Sequence, residues 1–415
     1  MSSSVAEFRA RRGVPFLGPA EAREGWVRRR VGLAWALLVL NVLTFYAKTW
    51  SGLPLAVPIP SIVGQAITQG ALPAALLVAL TVNRRIILRP NVFLCLLSLL
   101  VIEAVMTSMR AEFLFGAVYR ATRLAEFVAA LWLLSPWWGR RDLLLVRCYL
   151  ASISVVLGSV LLGLLVAPGR ALAMGRLAGT LWPTPPTQIA HFAAVTIGLV
   201  LVLWLCGLVR GRVALLVVSV AGAILLLTHT RTALIAMMAG ILVAGLSLFM
   251  AKARVRKLFA AAGVVVSIGA ITLSSVLATW LGRGESGQEL TNLTGRTVVW
   301  HAIVTTPRNW FEVIFGFGLS NYSFNGLPID SNWLAAYFDQ GLFGVAVCAT
   351  ALLFLLVTAY LRPPGVQRAL ALFLVTYCLV ASFTETGLSD ASTYLLELTL
   401  AASLLVPSVA DRRPG

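Results

Sequence analysis

Residues 213–250 read VALLVVSVAGAILLLTHTRTALIAMMAGILVAGLSLFM, two apolar runs interrupted by the polar island Thr228-His229-Thr230-Arg231-Thr232. A helix that crosses a bilayer takes roughly 20 mostly apolar residues. Two such runs joined by a short polar turn read as an antiparallel pair of membrane helices, with Arg231 at the turn. Working outward, apolar stretches recur at about 31–46, 61–82, 92–109, 117–135, 143–166 and 189–208 before this pair, and at 258–281, 339–360, 368–383 and 391–408 after it. With the pair itself they make twelve candidate spans, an even count that returns both termini to one side. The expected fold is therefore an all-α polytopic membrane protein of about 12 transmembrane helices, with a large structured outer loop between spans nine and ten. Its parts are a cytoplasmic N-terminal tail (1–30), a twelve-span membrane domain (31–408) and, within that, an extracytoplasmic loop (281–338).

Composition excludes the soluble classes. Of 415 residues, 59% are hydrophobic and only 12% charged, whereas a soluble domain carries about 25% charged residues. A soluble enzyme, a disordered chain and a collagen-like fibre are all ruled out. The net charge of +17, from 33 basic residues of which 30 are Arg against 16 acidic ones, would suggest nucleic acid in a soluble protein. In a polytopic chain the orientation rule, which keeps Arg and Lys in the cytoplasm, is the competing cause. Threading twelve spans with the N-terminus inside places 23 of the 33 basic residues on the cytoplasmic side. Both termini are then cytoplasmic, and no nucleic-acid partner is needed. The five cysteines all fall in apolar runs without CxxC spacing, which supports neither disulfides nor zinc and leaves buried, inert thiols as the expectation. Met1 to Arg30 is too long and too polar for a cleavable signal peptide.

Chemistry is sought among the basic residues that the orientation rule disfavours. Arg231 either snorkels to headgroup phosphates or grips an oxyanion in a bidentate fork. Arg296 stands two residues after Thr294, a candidate cap for a short helix running to about Thr305 with Val298, Val299, Ala302 and Ile303 on one face. It reads as a solvated loop residue or as an anion ligand at a helix N-terminus. Arg176 in Gly175-Arg176-Leu177-Ala178-Gly179-Thr180 has the same two readings. Arg120 and Arg123 share a helix face with Glu126, which suggests a structural ion pair or a wet intramembrane site. Asp330 lies where the loop meets span ten, as a helix cap, a general base, or both. Glu385 and Asp390 in the last outer loop are solvated or support the Arg cluster. His191, His229 and His301 have no second ligand at metal spacing, so no metal and no cofactor are expected.

These segments resemble a known family, the bacterial O-antigen ligases and Wzy-type polysaccharide polymerases. Gly175 to Thr180 looks like the family's Arg-x-x-Gly segment, and Leu227 to Ala233 like its Ser/Thr-Arg turn. Gly295-Arg296-Thr297-Val298-Val299-Trp300 followed by Gly316-Phe317-Gly318 looks like its GR-x-x-x-W and G-x-G pair. Asp330-Ser331, nine residues and then Gly341-Leu342-Phe343-Gly344 match its His-[Asn/Ser/Gln]…Gly-x-x-Gly spacing, with Asp330 in place of the His.

The resemblance implies a multi-pass glycosyltransferase of the bacterial plasma (inner) membrane. It would act without metal and with inversion at the anomeric carbon. Its partners would be an undecaprenyl-pyrophosphate-linked glycan donor, a glycan acceptor and membrane lipid. It further implies that Asp330 acts as base while Arg231 and Arg296 neutralise the departing pyrophosphate. Arg176, Arg120, Arg123, Ser331, Asn332 and His301 are expected to contact substrate. A polymerase is the leading expectation and a ligase the alternative. A polysaccharide or lipid transporter is the rival from another class, for which repeated halves and broken midplane helices are the sequence signs.

Overall fold

The computed structural model describes residues 19–45, 56, 59–111, 113–173, 175–249, 251–258, 260–261, 296–320, 323–325 and 327–407. Most of the ninth apolar stretch, the first 18 residues of the tail, residues 281–295 of the loop and the candidate cap Thr294 lie outside them. The described chain is mostly helical, and its one sheet is a small hairpin in which β1 (Ser323–Phe324) pairs antiparallel with β2 (Leu327–Pro328).

Each of the other eleven apolar stretches is a helix. These are α1 (Pro19–Val42), α2 (Ser61–Val82), α3 (Val92–Ser108), α4 (Leu114–Leu134), α5 (Leu144–Val166), α6 (Pro186–Leu205), α7 (Gly211–Leu227) and α8 (Arg231–Phe249). After the short α9 (Arg296–Thr305) and α10 (Trp310–Phe315) come α11 (Asn332–Leu361), α12 (Val366–Ala381) and α13 (Thr393–Leu405). Among the described residues, α2, α5, α6, α8 and α11 are long and apolar enough to cross a membrane.

Local sequence sets the helix ends. Asn91 Oδ1 accepts from Phe93 N at 2.8 Å to start α3, Ser392 Oγ accepts from Leu395 N at 3.1 Å to start α13, and Pro186 occupies the first turn of α6, where a missing N–H costs nothing. Asn309 and Glu312 form a reciprocal capping box on α10.

Loop-to-loop bonds sort the connections to two ends. At the proximal end, where α1 begins, Gly139 N donates to Ser403 O, Arg362 to Leu404 O, and Arg28 and Arg140 pair with Glu24 and Asp142. At the distal end Leu177 N donates to Leu227 O, Thr44 N to Gln188 Oε1 and Asn332 N to Ser382 O.

The core is built around α6, of which 83% of a span-length window is buried, against 28% for α5. It is ringed by α5, α7, α8 and α12, and α12 packs in turn on α11 and α13. Phe373 of α12 sits against Gly198 of α6 and Gly240 of α8, where any larger residue would push the helices apart. The outward faces of α2, α3, α7 and α8 present Leu77, Ile102, Leu215, Leu216 and Leu246. Such a continuous apolar exterior is one that a bilayer solvates better than water.

α11 begins earlier than the apolar run alone indicates, at Asn332, and kinks at Gly341 (φ 63°). A kink leaves carbonyls in the preceding turn without their helical partners. Arg308 Nη1 donates to Tyr337 O at 3.1 Å, Phe317 N to Phe338 O at 3.0 Å and Gly318 N to Asp339 O at 2.9 Å. Gly316 (φ 76°) lies directly against Asp339 and Gln340, and Gly341 against Ile314 and Phe315, with no room for a Cβ on either. The two glycine motifs are thus the two halves of one backbone docking site.

On α9 the buried face is Val299 and Ile303, while Val298, expected on that face, is 69% exposed. Only Cys348 and Cys378 are buried. Cys95 is exposed and Cys148 and Cys206 are half-buried, against the expectation of five buried thiols.

Candidate functional site

Two of the arginines singled out by their position, Arg176 and Arg296, act on one carboxylate at the distal end, and Arg176 also braces the turn that carries Arg231. α7 stops at Thr228, His229 takes up a left-handed conformation (φ 50°), and α8 starts at Arg231. The turn is therefore tight and holds Arg231 at the head of α8. Arg176 reaches across to it, donating from Nε to Thr228 O at 2.9 Å and from Nη2 to Thr230 Oγ1 at 3.2 Å. The first of these places a cation on an open carbonyl at the negative end of α7. On the other side of Arg231, Thr232 Oγ1 and Thr384 Oγ1 share a hydrogen bond of 2.8 Å. The turn that carries Arg231 is thereby tied to Arg176 and, through Thr232, to the α12–α13 loop.

Arg296, at the first turn of α9, donates from Nε to Asp330 Oδ2 at 3.0 Å. This contact corrects one reading of Asp330: the N-cap position of α11 is Ser331, no side chain caps that helix, and Asp330 Oδ2 accepts from Arg296 instead. Ser331 and Asn332, expected to meet substrate, are buried. Asn332 Oδ1 accepts from Leu388 N at 2.7 Å and Gly387 N at 3.3 Å, so its work is to hold the loop that carries Glu385.

Glu385 is the residue whose importance the sequence left open. It is half-buried, within electrostatic reach of Arg296, Arg176, Asp330 and His191. Burial pushes its carboxyl up to about 7, with Asp330 adding to the rise, while Arg296, His191 and Arg176 pull it down. Glu385 also lines a cavity of about 690 Å³ at the distal ends of α1, α2, α4 and α6, together with Gln65, Gln69, Arg120, Arg123, Gln188 and His191. Amide, hydroxyl and guanidinium groups dominate that wall, which suits a hydroxyl-rich ligand rather than a hydrocarbon. Arg176, Arg231, Arg296 and Asp330 do not line it, so Glu385 stands at the junction of the cationic cluster and the polar cavity.

No protein-family model and no curated protein sequence matches the chain.

Arg120 and Arg123 do not pair with Glu126 among the described residues, contrary to one expectation. Arg120 Nη1 donates to Ser320 O, and Arg123 Nη2 donates to Asn41 Oδ1 at 3.0 Å. Arg120 also borders a second cavity of about 830 Å³, walled by Phe113, Phe311, Phe317, Phe324 and Phe338. His301 is exposed on α9 and lines neither cavity, so it is not brought to the cluster. Asp390, also expected to be solvated or supporting, lines the first cavity and accepts from Ala391 N at 2.6 Å.

Below the cavity floor lies a buried polar brace. His191 Nε2 meets Glu397 Oε1 at 2.7 Å, Tyr149 OH donates to the same oxygen at 2.5 Å, and Tyr377 OH contacts His191 Nδ1 at 3.1 Å. Four helices, α5, α6, α12 and α13, each contribute a member. A chain in which every member is satisfied is the only arrangement that makes such burial tolerable. It positions the cavity floor, because His191 belongs to both brace and wall.

Proposed function

We propose that the chain is a twelve-span glycosyltransferase of the bacterial plasma membrane, with both termini cytoplasmic and the distal end facing outward. It would transfer or polymerise a glycan carried on undecaprenyl pyrophosphate, as a polysaccharide polymerase or, with a different acceptor, as an O-antigen ligase. The observation that carries this reading is that Arg176 and Arg296 act on Glu385, and Arg176 braces the Arg231 turn, beside a polar cavity at one end of an apolar bundle. Guanidinium groups brought from separate segments of the chain suit a ligand with two linked phosphates. The neighbouring hydroxyl-binding wall suits a saccharide, and the apolar exterior suits a donor that arrives within the membrane.

In the reaction, an acceptor hydroxyl oxygen attacks the anomeric carbon while the bond from that carbon to the pyrophosphate oxygen breaks. The electron pair leaves with the pyrophosphate, whose growing charge is met by the arginines, an effect worth several kcal/mol at one well-placed donor. Because the attack is a single displacement, the anomeric configuration inverts.

The test is transfer by purified protein in lipid nanodiscs, with EDTA present, using lipid-linked glycan extracted from membranes of the native organism. Arg231→Ala and Arg296→Ala are expected each to lower kcat/KM by about 100-fold or more. Full activity in both variants, or movement of the lipid-linked glycan across the bilayer with no new glycosidic product, would sink the reading.

A further inference from the structure

We propose that Glu385 is the general base that deprotonates the acceptor hydroxyl, and that Asp330 instead positions Arg296 for the leaving pyrophosphate. This rests on the transferase reading above and assigns a role within the same site.

The base must meet the acceptor hydroxyl at the anomeric carbon, the atom that joins saccharide to phosphate. If the pyrophosphate lies among Arg176, Arg231 and Arg296 and the saccharide in the polar cavity, that carbon lies where cluster and cavity meet. Glu385 occupies this place, since it lines the cavity and feels the charges of Arg296, Arg176 and Asp330. Asp330 does not line the cavity, and its Oδ2 already accepts from Arg296 Nε at 3.0 Å. Glu385 is also held in place from behind. Asn332 Oδ1 fixes the N–H groups of Gly387 and Leu388, Thr384 is bonded to Thr232, and Ser392 Oγ donates to Gly387 O.

The proton moves from the acceptor hydroxyl to the Glu385 carboxylate as the new C–O bond forms. It later leaves to water through the cavity mouth, so each turnover restores the base. The groups that set its protonation come from every neighbouring element: Arg176 before α6, His191 on α6, Arg296 on α9, Asp330 before α11, Tyr377 on α12 and Tyr394 on α13. Arg120, Arg123 and Asp390 share its cavity. A raised carboxyl, at about 7, keeps the base half-ionised near neutral pH, where a general base is most effective. Activity that depends on it rises as pH increases through that value.

The experiment compares wild type, Glu385→Gln, Glu385→Asp and Asp330→Asn in nanodiscs, measuring kcat and KM from pH 5.5 to 8.5 and binding of undecaprenyl pyrophosphate itself. Glu385→Gln is expected to lose at least about 100-fold in kcat with pyrophosphate binding unchanged. Any residual activity should lack the limb near pH 7. Glu385→Asp, which restores a carboxylate, should recover part of the rate and shift that limb. Asp330→Asn should raise KM and weaken pyrophosphate binding while retaining the limb. Turnover in Glu385→Gln within tenfold of wild type, or an unchanged limb in that variant, overturns Glu385 as base and leaves the transferase reading standing. A wild-type protein that neither binds undecaprenyl pyrophosphate nor forms a glycosidic product overturns both.

Discussion

Asn332 shows how a residue one position from a functional motif can act entirely through the backbone it holds. Its side chain is fully buried, and its Oδ1 is the acceptor for two successive N–H groups of the loop bearing Glu385. Asn332→Leu leaves both donors buried without an acceptor, at about 1–3 kcal/mol for each. It is expected to lower the thermal midpoint of the purified protein and to reduce turnover. Glu397 is a parallel case in the bundle interior. Glu397→Leu removes the shared partner of His191 and Tyr149, and breaking such a buried pair costs about 3–5 kcal/mol. A scan in which Glu397→Leu melts within a degree of wild type would show that the brace carries no stability.

The candidate arginines could be picked out because an outward Arg violates a rule that applies residue by residue. Glu385 could not, because its surroundings are built by the cavity wall from α1, α2, α4 and α6 and by Asn332 of α11, and nothing within residues 382–392 reports that enclosure. The cap reading of Asp330 fails for the same reason, since its partner Arg296 is 34 positions away.

The glycines of α10 and α11 carry the argument from side chains to elements. Gly316-Phe317-Gly318 and Gly341-Leu342-Phe343-Gly344 matched a family pattern by spacing alone, and the structure supplies the physical cause. α11 kinks at Gly341, three carbonyls lose their helical partners, and the segment 316–318 with Arg308 takes two backbone bonds and one side-chain bond to them. Burial lowers the pKa of the Arg308 guanidinium, which stacks on Phe317, Tyr337 and Phe338. An alanine at a left-handed glycine that also faces backbone costs more than about 1 kcal/mol. Gly341→Ala and Gly316→Ala are therefore each expected to lower the midpoint by at least about 2 °C. Combining them should cost less than the sum, since either one already separates the two halves of the same contact. Fully additive losses would mean that the two glycines do not act through that contact. The apolar runs locate all eleven helices, although α1 starts at Pro19, twelve residues before its run, and α11 at Asn332, seven before; they give no sign of this kink, because a single Gly inside an apolar run does not reveal what packs against it.

For the molecule as a whole, the charge of +17 divides by end. Arg28, Arg140 and Arg362 are engaged in loop contacts at the proximal end, while Arg176 and Arg296 act on Glu385 at the distal end and Arg231 heads α8 in the turn that Arg176 braces. That asymmetry, in a bundle with an apolar exterior, is the feature on which the proposed action on a lipid-borne polyanion rests. The most direct measurement is glycosidic product formation from the extracted lipid-linked glycan by the nanodisc protein, in EDTA, for wild type beside the Arg176→Ala/Arg231→Ala/Arg296→Ala variant. The expected result is product with release of undecaprenyl pyrophosphate for wild type and none for the triple variant at equal folded protein. Equal product from both, or no product from either, would contradict the assignment of the distal cluster as a pyrophosphate site of a glycosyltransferase.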